Sequence, residues 1–437
     1  MSEISIIKRD FELNYGKKIK ELKSIYFKYL SDKHYRWLIV FILISCILKL
    51  YMIFVHGNNL NLASDDLNYI KSAVALARKG IFVFHEYNEP TVFITPIYPI
   101  FLAIIFKVFG YGFIGLQIGR VIQAVLSLIT IILTFLVANC LFDKKIALIS
   151  SFLVSFYYPN IITPGYFLTE NLFTPLLLLL IYFSLKFQMN LKPSKFIILG
   201  VLWAITTLCR PTVALYPFLL LFHMLINKKH KIKGFIRSWL VMILAFIVIM
   251  KPWWIRNYVE YKTFIPLAES SGNPLLQGTY IGYNQTPENI VYYKLGKNAF
   301  ETNKIEVEVA KNRIKEGFKN NFWRYLKWYT IDKTYLFWFT IFYWKEFSGI
   351  TYSNILPYHF IILTGLLVIP FLLIKKFNIY FLPISILGYF NAVHCLYMAF
   401  DRYAFPLLPI LSIFAAFFIL KMGTFLLKIK KRYFIER

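Results

Sequence analysis

Two adjacent carboxylates, Asp65 and Asp66, stand in NLASDDLNYI, about ten residues after a long apolar run. Acidic residues are scarce in this chain, which has only 22 Asp and Glu among 437 residues. A carboxylate held near an attacking hydroxyl can remove its proton, and such general bases speed reactions by about 10²–10⁴-fold. The pair is therefore a candidate catalytic base, and Glu170 in YFLTENLF is a further candidate catalytic acid or base.

Arginines stand beside other apolar runs and supply the opposite charge. They are Arg120 in LQIGRVIQ, Arg210 in LCRPT, Arg256 in WWIRNY and Arg402, which precedes Tyr403 in AFDRYAFPLLP. An ionisable group at membrane depth costs at least about 2.5–3.5 kcal/mol, so those that persist usually face a cavity or a partner. Guanidinium groups hold phosphate through several directed hydrogen bonds. A reaction on a lipid-linked phosphate would need both kinds of charge.

The overall composition predicts an integral membrane protein. The chain is 58% hydrophobic and 16% charged, whereas soluble domains are about 45–50% apolar and about 25% charged. A net charge of +27 would suggest nucleic-acid binding in a soluble protein. In a membrane protein, basic residues report orientation first, so we expect no nucleic-acid partner.

Apolar runs of about 20 residues can cross a bilayer, and the sequence has ten candidates. They are 36–55, 116–141, 146–163, 171–187, 196–209, 212–227, 236–255, 355–374, 378–398 and 404–421. The fifth and sixth runs could instead form one helix broken near Pro211. A hairpin is preferred because the chain is basic at the ends of the two runs that lie away from Pro211. The segment 95–110 contains Pro96, Pro99 and Lys107 and is predicted to lie flat on the surface as an interfacial helix.

Charge supports a layout with both termini in the cytoplasm. The segments that would then lie inside hold 27 of the 49 Lys and Arg and 7 of the 22 Asp and Glu, which leaves 22 basic and 15 acidic residues elsewhere. Cytoplasmic loops are enriched in basic residues. This layout puts the Asp65 loop, the ends of the apolar runs that carry the arginines, and the long polar segment on the outer face.

The predicted architecture is therefore an all-α polytopic membrane protein with a small outer domain. Its parts are a basic cytoplasmic segment 1–35, a transmembrane catalytic module 36–256 with a first outer loop 56–115, an extracytoplasmic domain 257–350, C-terminal transmembrane helices 351–421 and a basic cytoplasmic tail 422–437. Helical spacing of apolar residues predicts one amphipathic helix over 306–331.

Metal and disulfide signals are weak. His85, Glu86 and Glu89 in FHEYNEP supply ligand atoms for a divalent cation, but one histidine in a loop is more often a solvated residue. We predict no metal site from this pattern, and the need for a divalent cation stays open. All four cysteines fall inside apolar runs without a paired spacing, which predicts no disulfides.

The order of these motifs along the chain resembles the GT-C glycosyltransferases. Residues 36–420 carry, in order, a first span, SDDLNYIKSAVALARKG, TPIYPIFLAIIFKVFG, an arginine opening the next span, LTENLF, CRPT, PWWIRNYVEYKTFIPLAESSGNPLLQGT and DRYAFPLLP. Within that superfamily the chain is similar to bacterial family 39 members, which are related to protein O-mannosyltransferases and lipid A aminoarabinose transferases. The resemblance implies a GT-C bundle, a polyprenyl-phosphate sugar donor and chemistry on the non-cytoplasmic face.

The resemblance also assigns roles to individual residues. Asp65 corresponds to the family's catalytic base, while Asp66 and Tyr69 stand where relatives commonly carry a glutamate and an aromatic residue. Arg120 resembles a ligand of the lipid phosphate, and Glu170 matches an acidic position at the outer end of a later helix. By the same resemblance Arg402 and Tyr403 lie near the phosphate or the donor sugar.

The predicted function is an inverting glycosyltransferase of the bacterial plasma membrane. It would move a sugar from polyprenyl phosphate to a hydroxyl of a glycolipid, a wall polymer or a protein, with membrane lipids around it. A single displacement is favoured because neighbouring carboxylates need not reach one sugar, whereas retention needs two about 5–5.5 Å apart. A transporter or flippase of lipid-linked sugars, and a lipid-linked glycan ligase or polymerase, stay open.

Structural roles compete with these assignments. Asp65 could cap a helix, with Asp66 favoured by the helix dipole, and Glu170 could also be a cap. Long side chains such as those of Arg120, Arg210 and Arg256 could extend to lipid head groups. Arg402 could simply pair with the aspartate before it.

Overall fold

The computed structural model describes residues 31–57, 59–85, 89–227, 232–284, 286–341 and 356–435. Those residues form helices and connecting turns and contain no β-strand. The basic segment 1–30 and Glu86 lie outside the described residues.

The described residues of the first half of the chain form ten α-helices. They are α1 Lys33–His56, α2 Asp65–Lys79, α3 Ile97–Phe109, α4 Phe113–Leu141, α5 Lys144–Phe156, α6 Tyr158–Ile162, α7 Glu170–Phe187, α8 Pro193–Cys209, α9 Tyr216–Asn227 and α10 Ile232–Tyr261. Short 3₁₀ turns follow α6 and α8, at Thr163–Gly165 and Pro211–Val213.

Eight further α-helices follow among the described residues. They are α11 Gly272–Gln277, α12 Ala299–Asn320, α13 Phe322–Lys327, α14 Lys333–Phe339, α15 Pro357–Leu367, α16 Ile369–Leu396, α17 Asp401–Ala404 and α18 Leu408–Ile435. A π-helical turn, Trp328–Asp332, joins α13 to α14, and 3₁₀ turns lie at Ile281–Tyr283, Pro287–Asn289 and Phe405–Leu407.

The helices confirm the predicted class of all-α polytopic membrane protein. In the part of the chain that the structure describes, six helical stretches are long and apolar enough to cross a bilayer, namely α1, α4, α7, Lys233–Tyr261 in α10, α16 and Asp401–Leu427. The pair α5 and Tyr158–Gly165, bent by 64°, makes a seventh if it is one span. Four apolar helices are shorter, among them α3, α8 and α15. Ten crossings therefore stay a prediction.

Helix α4 lies at the centre of the N-terminal half and packs against α1, α3, α5 and α7. Its buried polar residues Gln117, Arg120, Gln123 and Ser127 recur every three or four positions. That spacing puts them on one face of a helix. The polar face of α4 is therefore turned into the protein and away from lipid.

Side chains from neighbouring helices hold the non-helical backbone between α6 and α7. The Gln123 amide donates to the carbonyls of Pro164 (2.9 Å) and Tyr166 (3.1 Å), and the Asn171 amide donates to Tyr166 (2.8 Å) and Thr163 (3.1 Å). A bilayer offers no water to satisfy such carbonyls, so non-helical backbone at this depth must find partners inside the protein. These two amides make the break in the span tolerable.

The prediction of one amphipathic helix over 306–331 is wrong in its bounds. Helix α12 ends at Asn320, and Asn321 leaves the helical conformation with φ −149° and ψ 66° before α13 begins. A Cβ on Gly317 would lie 2.0 Å from the Tyr325 ring. The missing side chain at Gly317 therefore lets the chain fold back and pack Tyr325 against α12.

The boundaries predicted for the spans 355–374 and 378–398 also differ from those of the observed helices. Helix α15 ends at Leu367, and α16 runs from Ile369 to Leu396. Lys376 interrupts α16 with φ −152° and ψ 65°. The chain thus leaves the helical conformation at the position where the sequence predicted a cytoplasmic turn.

A glycine contact between α8 and α10 gives a stability prediction. A Cβ on Gly200 would lie 2.2 Å from the Met242 carbonyl oxygen, whereas one on Gly388 in α16 would meet nothing within 4 Å. Alanine is favoured over glycine in a helix by about 1 kcal/mol, while overpacking typically costs about 1–3 kcal/mol. We expect Gly200→Ala to lower the thermal unfolding midpoint in detergent and Gly388→Ala not to lower it. Equal midpoints for the two variants would contradict this close approach.

Candidate active site

The aspartate pair lies at the first turn of α2, and its two members are used differently. Asp66 is buried, and its carboxylate accepts hydrogen bonds from the backbone N–H groups of Leu62 (2.7 Å) and Ser64 (3.0 Å). Asp66 therefore fixes the turn that enters α2. The Asp65 side chain is 38% exposed and forms an ion pair with Arg402. The N-cap itself is Ser64, so neither aspartate takes that position.

Asp65 belongs to a cluster of four charged side chains, which we call the ion cluster: Asp65, Glu170, Arg210 and Arg402. Arg402 donates from Nη1 to Asp65 Oδ2 (3.0 Å) and from Nε to Glu170 Oε1 (2.8 Å). Arg210 Nη1 lies 3.2 Å from the same Glu170 oxygen. One carboxylate oxygen therefore joins two guanidinium groups, and the cluster is formally neutral.

Helix ends from separate parts of the chain position the ion cluster. Asp65 and Glu170 begin α2 and α7, while Arg210 follows the last residue of α8 in an extended conformation. Carboxylates are favoured at helix N-termini and cations at C-termini by about 0.3–1 kcal/mol at exposed sites. The local dipoles thus favour the observed sign of charge at all three ends. Arg402 lies in the short turn α17.

Aromatic rings enclose the ion cluster on two sides. Tyr403 lies under Arg210, with the guanidinium carbon 5.2 Å from the ring centroid, and stacks on His394 at 4.7 Å. Tyr69 packs on Tyr98 with centroids 5.0 Å apart, and the Tyr98 hydroxyl donates to Gln123. His394 was not singled out from the sequence. Its only signal there was a histidine within an apolar run.

Arg120 is buried close to this region, and none of the ion pairs among the described residues includes it. Its Nε donates to the Gly165 carbonyl (3.0 Å) and its Nη1 to Gln117 Oε1 (3.2 Å), and its guanidinium carbon lies 5.4 Å from the Phe167 ring centroid. Extension to lipid head groups does not describe this side chain. A buried guanidinium that is not neutralised by a carboxylate is suited to bind an anion.

The structure does not bring Arg256 into the ion cluster. Its Nη1 donates to the Thr91 carbonyl (2.7 Å) and to Asn257 Oδ1 (3.1 Å), and the guanidinium lies over the rings of Phe82, Trp253 and Tyr261. Arg256 thereby ties the segment around Thr91 to the end of α10. The predicted substrate contact of this arginine gains no support from these neighbours.

Beside Arg256 lies a cleft of about 170 Å³ whose lining includes Glu89, Glu260 and Glu269. Burial raises the pKa of Glu269, which accepts a hydrogen bond from Asn303 (2.7 Å). No group of three His, Cys, Asp or Glu side chains in the described part of the chain could hold a metal ion. His85 instead packs against Phe93, with ring centroids 5.0 Å apart.

The shared Glu170 carboxylate predicts a large stability effect. Removing one member of a buried ion pair typically costs about 3–5 kcal/mol, because the remaining charge is left buried without compensation. We therefore expect Glu170→Gln to lower the free energy of unfolding by an amount of this order. The exposed pair of Glu288 with Arg324 supplies the control, since such pairs contribute about 0–1 kcal/mol. Thermal unfolding in detergent should separate Glu170→Gln from Glu288→Gln, and similar midpoints would refute a structural role for the ion cluster.

Comparison with known proteins was made for sequence and for fold. Residues 90–255 match the family of dolichyl-phosphate-mannose-protein mannosyltransferases. No curated protein sequence matches the chain. The structure of the oligosaccharyltransferase AglB from Archaeoglobus fulgidus, in complex with an inhibitory peptide and a dolichol-phosphate, aligns with a TM-score of 0.55 at 13% identity and covers 91% of this chain and 51% of that one.

Two further solved structures were compared. The A. fulgidus oligosaccharyltransferase tethered to an acceptor peptide aligns with a TM-score of 0.51 at 13% identity, covering 87% of this chain and 49% of that one. ArnT from Cupriavidus metallidurans bound to undecaprenyl phosphate aligns at 0.44 and 12% identity, over 87% and 77%, which is too low to add to the fold assignment. The chain spans about half the length of the archaeal enzyme, and the likeness at this identity is one of fold. The chain is thus similar to the dolichyl-phosphate-mannose-protein mannosyltransferases over residues 90–255 and shares its fold with the AglB oligosaccharyltransferase.

Proposed function

We propose that this protein is an inverting glycosyltransferase that moves a sugar from a polyprenyl-phosphate donor to an acceptor hydroxyl on the outer face of the bacterial plasma membrane. The observation that carries the proposal is the ion cluster, in which a partly exposed Asp65 is held by the buried Arg402, which is itself paired with the buried Glu170. In this arrangement one carboxylate is accessible, and the other charges of the ion cluster are paired. The acceptor is a glycolipid, a wall polymer or a protein.

Asp65 is the proposed general base. Its Oδ2 is bound by Arg402, which orients the carboxylate and leaves Oδ1 for the acceptor. As the acceptor oxygen bonds to the anomeric carbon, the bond from that carbon to the phosphate oxygen breaks and the acceptor proton passes to Asp65. Polyprenyl phosphate leaves with the electron pair of the broken bond, so its charge needs stabilisation by cations.

The surroundings of the other carboxylates support inversion. A retaining mechanism needs a second carboxylate that attacks the sugar. Glu170 is buried and bound by two arginines, and Asp66 is bound by two backbone N–H groups. Neither is free to act as a nucleophile without giving up these bonds. A single displacement assisted by Asp65 requires no such change.

Arg120 is the proposed ligand of the lipid phosphate. The positive charges of Arg210 and Arg402 are matched by Glu170 and Asp65 in the ion cluster, whereas Arg120 binds only neutral groups. The AglB structure contains a dolichol-phosphate, which is a lipid phosphate of the class proposed here. We place Tyr403 and Tyr69 nearer the sugar, as aromatic walls of the donor site.

The proposed orientation follows from charge. Both termini lie in the cytoplasm, residues 36–256 carry the catalytic module, and residues 257–350 form an extracytoplasmic domain. The excess of basic residues in the segments assigned to the inside supports this layout. The proposed donor site then faces outward, where a lipid-linked sugar is presented to envelope acceptors.

Replacement of the proposed base should separate catalysis from binding. Asp65→Asn keeps the shape of the side chain but cannot accept the acceptor proton, so we expect single-turnover transfer to fall by at least about 10²-fold while donor affinity is nearly kept. The assay follows radiolabelled sugar from polyprenyl phosphate into product in nanodiscs. Asp66→Asn is the matched comparison. Any loss of transfer in this variant should be accompanied by a less stable turn at the start of α2. Normal transfer by Asp65→Asn would exclude Asp65 as the base, and sugar movement without a covalent product would indicate a transporter.

Donor binding should depend on Arg120. Charge-assisted hydrogen bonds are commonly worth about 1.5–3 kcal/mol, so Arg120→Ala should weaken binding of undecaprenyl phosphate by roughly 10–100-fold. Arg324→Ala, which removes an exposed guanidinium paired with Glu288, should leave binding unchanged. Equilibrium binding to the protein in nanodiscs measures both. Equal affinities for the two variants would remove Arg120 from the phosphate site.

A further inference from the structure

The backbone that leads into the Arg402 turn is held by a buried lysine from the outer segment. Lys333 Nζ donates to the carbonyls of Cys395 (2.8 Å) and Tyr397 (2.7 Å). Cys395 lies in the last turn of α16 and Tyr397 follows that helix. Carbonyls at a helix C-terminus lack partners within the helix. Lys333 therefore supplies the donors that the end of α16 needs.

The setting of Lys333 is costly for a charge. Its side chain is fully buried, and Nζ lies 4.1 Å from the ring centroid of Tyr329 and 5.4 Å from that of Trp328. Burial lowers the pKa of Lys333 to about 7. A neutral amine still carries two N–H groups, so both bonds to the α16 end persist in either protonation state. The residue is thus fitted to hold two carbonyls and not to present a charge to solvent.

A second contact from the outer segment lies closer to the site. The Tyr283 hydroxyl accepts a hydrogen bond from the Ala399 N–H (3.0 Å), and the Tyr283 ring lies 5.0 Å from that of Phe400. Gly278 allows the close approach on which this depends, because a Cβ there would lie 2.2 Å from the Tyr397 carbonyl oxygen. Residues 395–400 are therefore fixed at several points just before Arg402.

We propose that Lys333 and Tyr283 are positioning residues that hold the Arg402 turn so that its guanidinium reaches both Asp65 and Glu170. The bonds in question are 3.0 Å and 2.8 Å long, and hydrogen bonds weaken steeply beyond about 3.2 Å. A displacement of about 1 Å would break them, and misplacement of that size can cost about 10²-fold in rate. The catalytic consequence rests on the proposed function, whereas the structural one does not.

The structural consequence is tested by hydrogen exchange in nanodiscs. Lys333→Met keeps an unbranched side chain that is one atom shorter and removes the donors, and Tyr283→Phe keeps the ring but removes the acceptor. We expect each variant to speed amide exchange in peptides covering 398–404 by at least about 10-fold. Lys327→Met is the control, because Lys327 is on the same segment, is exposed and pairs with Asp332 at 3.4 Å. If Lys333→Met does not fold, Tyr283→Phe decides, and normal exchange at 398–404 in a folded variant overturns the proposal.

The catalytic consequence is tested by coupling to Arg402. We expect Lys333→Met and Tyr283→Phe to lower the single-turnover rate by about 10–100-fold while the donor KM changes little. In an Arg402→Lys background the same changes should lower the single-turnover rate further by less than about twofold. The reason is that the effects of residues that act through one another are not additive. Additive losses would reduce the pair to a general stabilising role and overturn the proposal. If the wild-type protein transfers no sugar, the proposed function fails, and hydrogen exchange alone decides the positioning role.

Discussion

A single carboxylate oxygen, Glu170 Oε1, accepts a hydrogen bond from Arg402 and forms an ion pair with Arg210. Taking these charges out of water is costly, and their attraction compensates only if the geometry is good. The N-terminus of α7, the end of α8 and the turn of α17 must therefore meet at one point. Asp65 joins through Arg402 and brings α2 with it. The convergence of these four elements defines the shape of the end of the bundle at which they meet.

The cost of burying polar groups without partners also applies where helices end inside the protein. The Gln123 amide binds two carbonyls of the break after α6. Lys49, fully buried in α1, donates to Ser45 Oγ (2.7 Å), which in turn donates to the Ser155 carbonyl near the end of α5 (3.0 Å). At these two breaks side chains thus take the place of water.

Much of this was predictable from composition and local pattern. Apolar runs predicted the membrane class, and the scarcity of charge drew attention to Asp65, Glu170, Arg210 and Arg402, which the structure brings together. Their pairing was not predictable, because the contacts join residues 40, 232 and 337 positions apart. The contacts of His394 and Lys333 were not predictable for the same reason. The polar face of α4 was readable, since Gln117, Arg120 and Gln123 recur at helical spacing. Arg256 shared the sequence signal of the others, yet its aromatic neighbours gave it a different place.

The separation of 337 positions between Asp65 and Arg402 also sets an order of events during biosynthesis. At about 5–20 residues per second, Arg402 is made roughly 17–70 s after Asp65. Throughout that interval the contacts of Arg402 with Asp65 and Glu170 are absent. The nascent N-terminal half therefore carries both carboxylates without the arginine that joins them. The ion cluster is complete only when the segment with Arg402 has docked, so chains interrupted before α17 lack it.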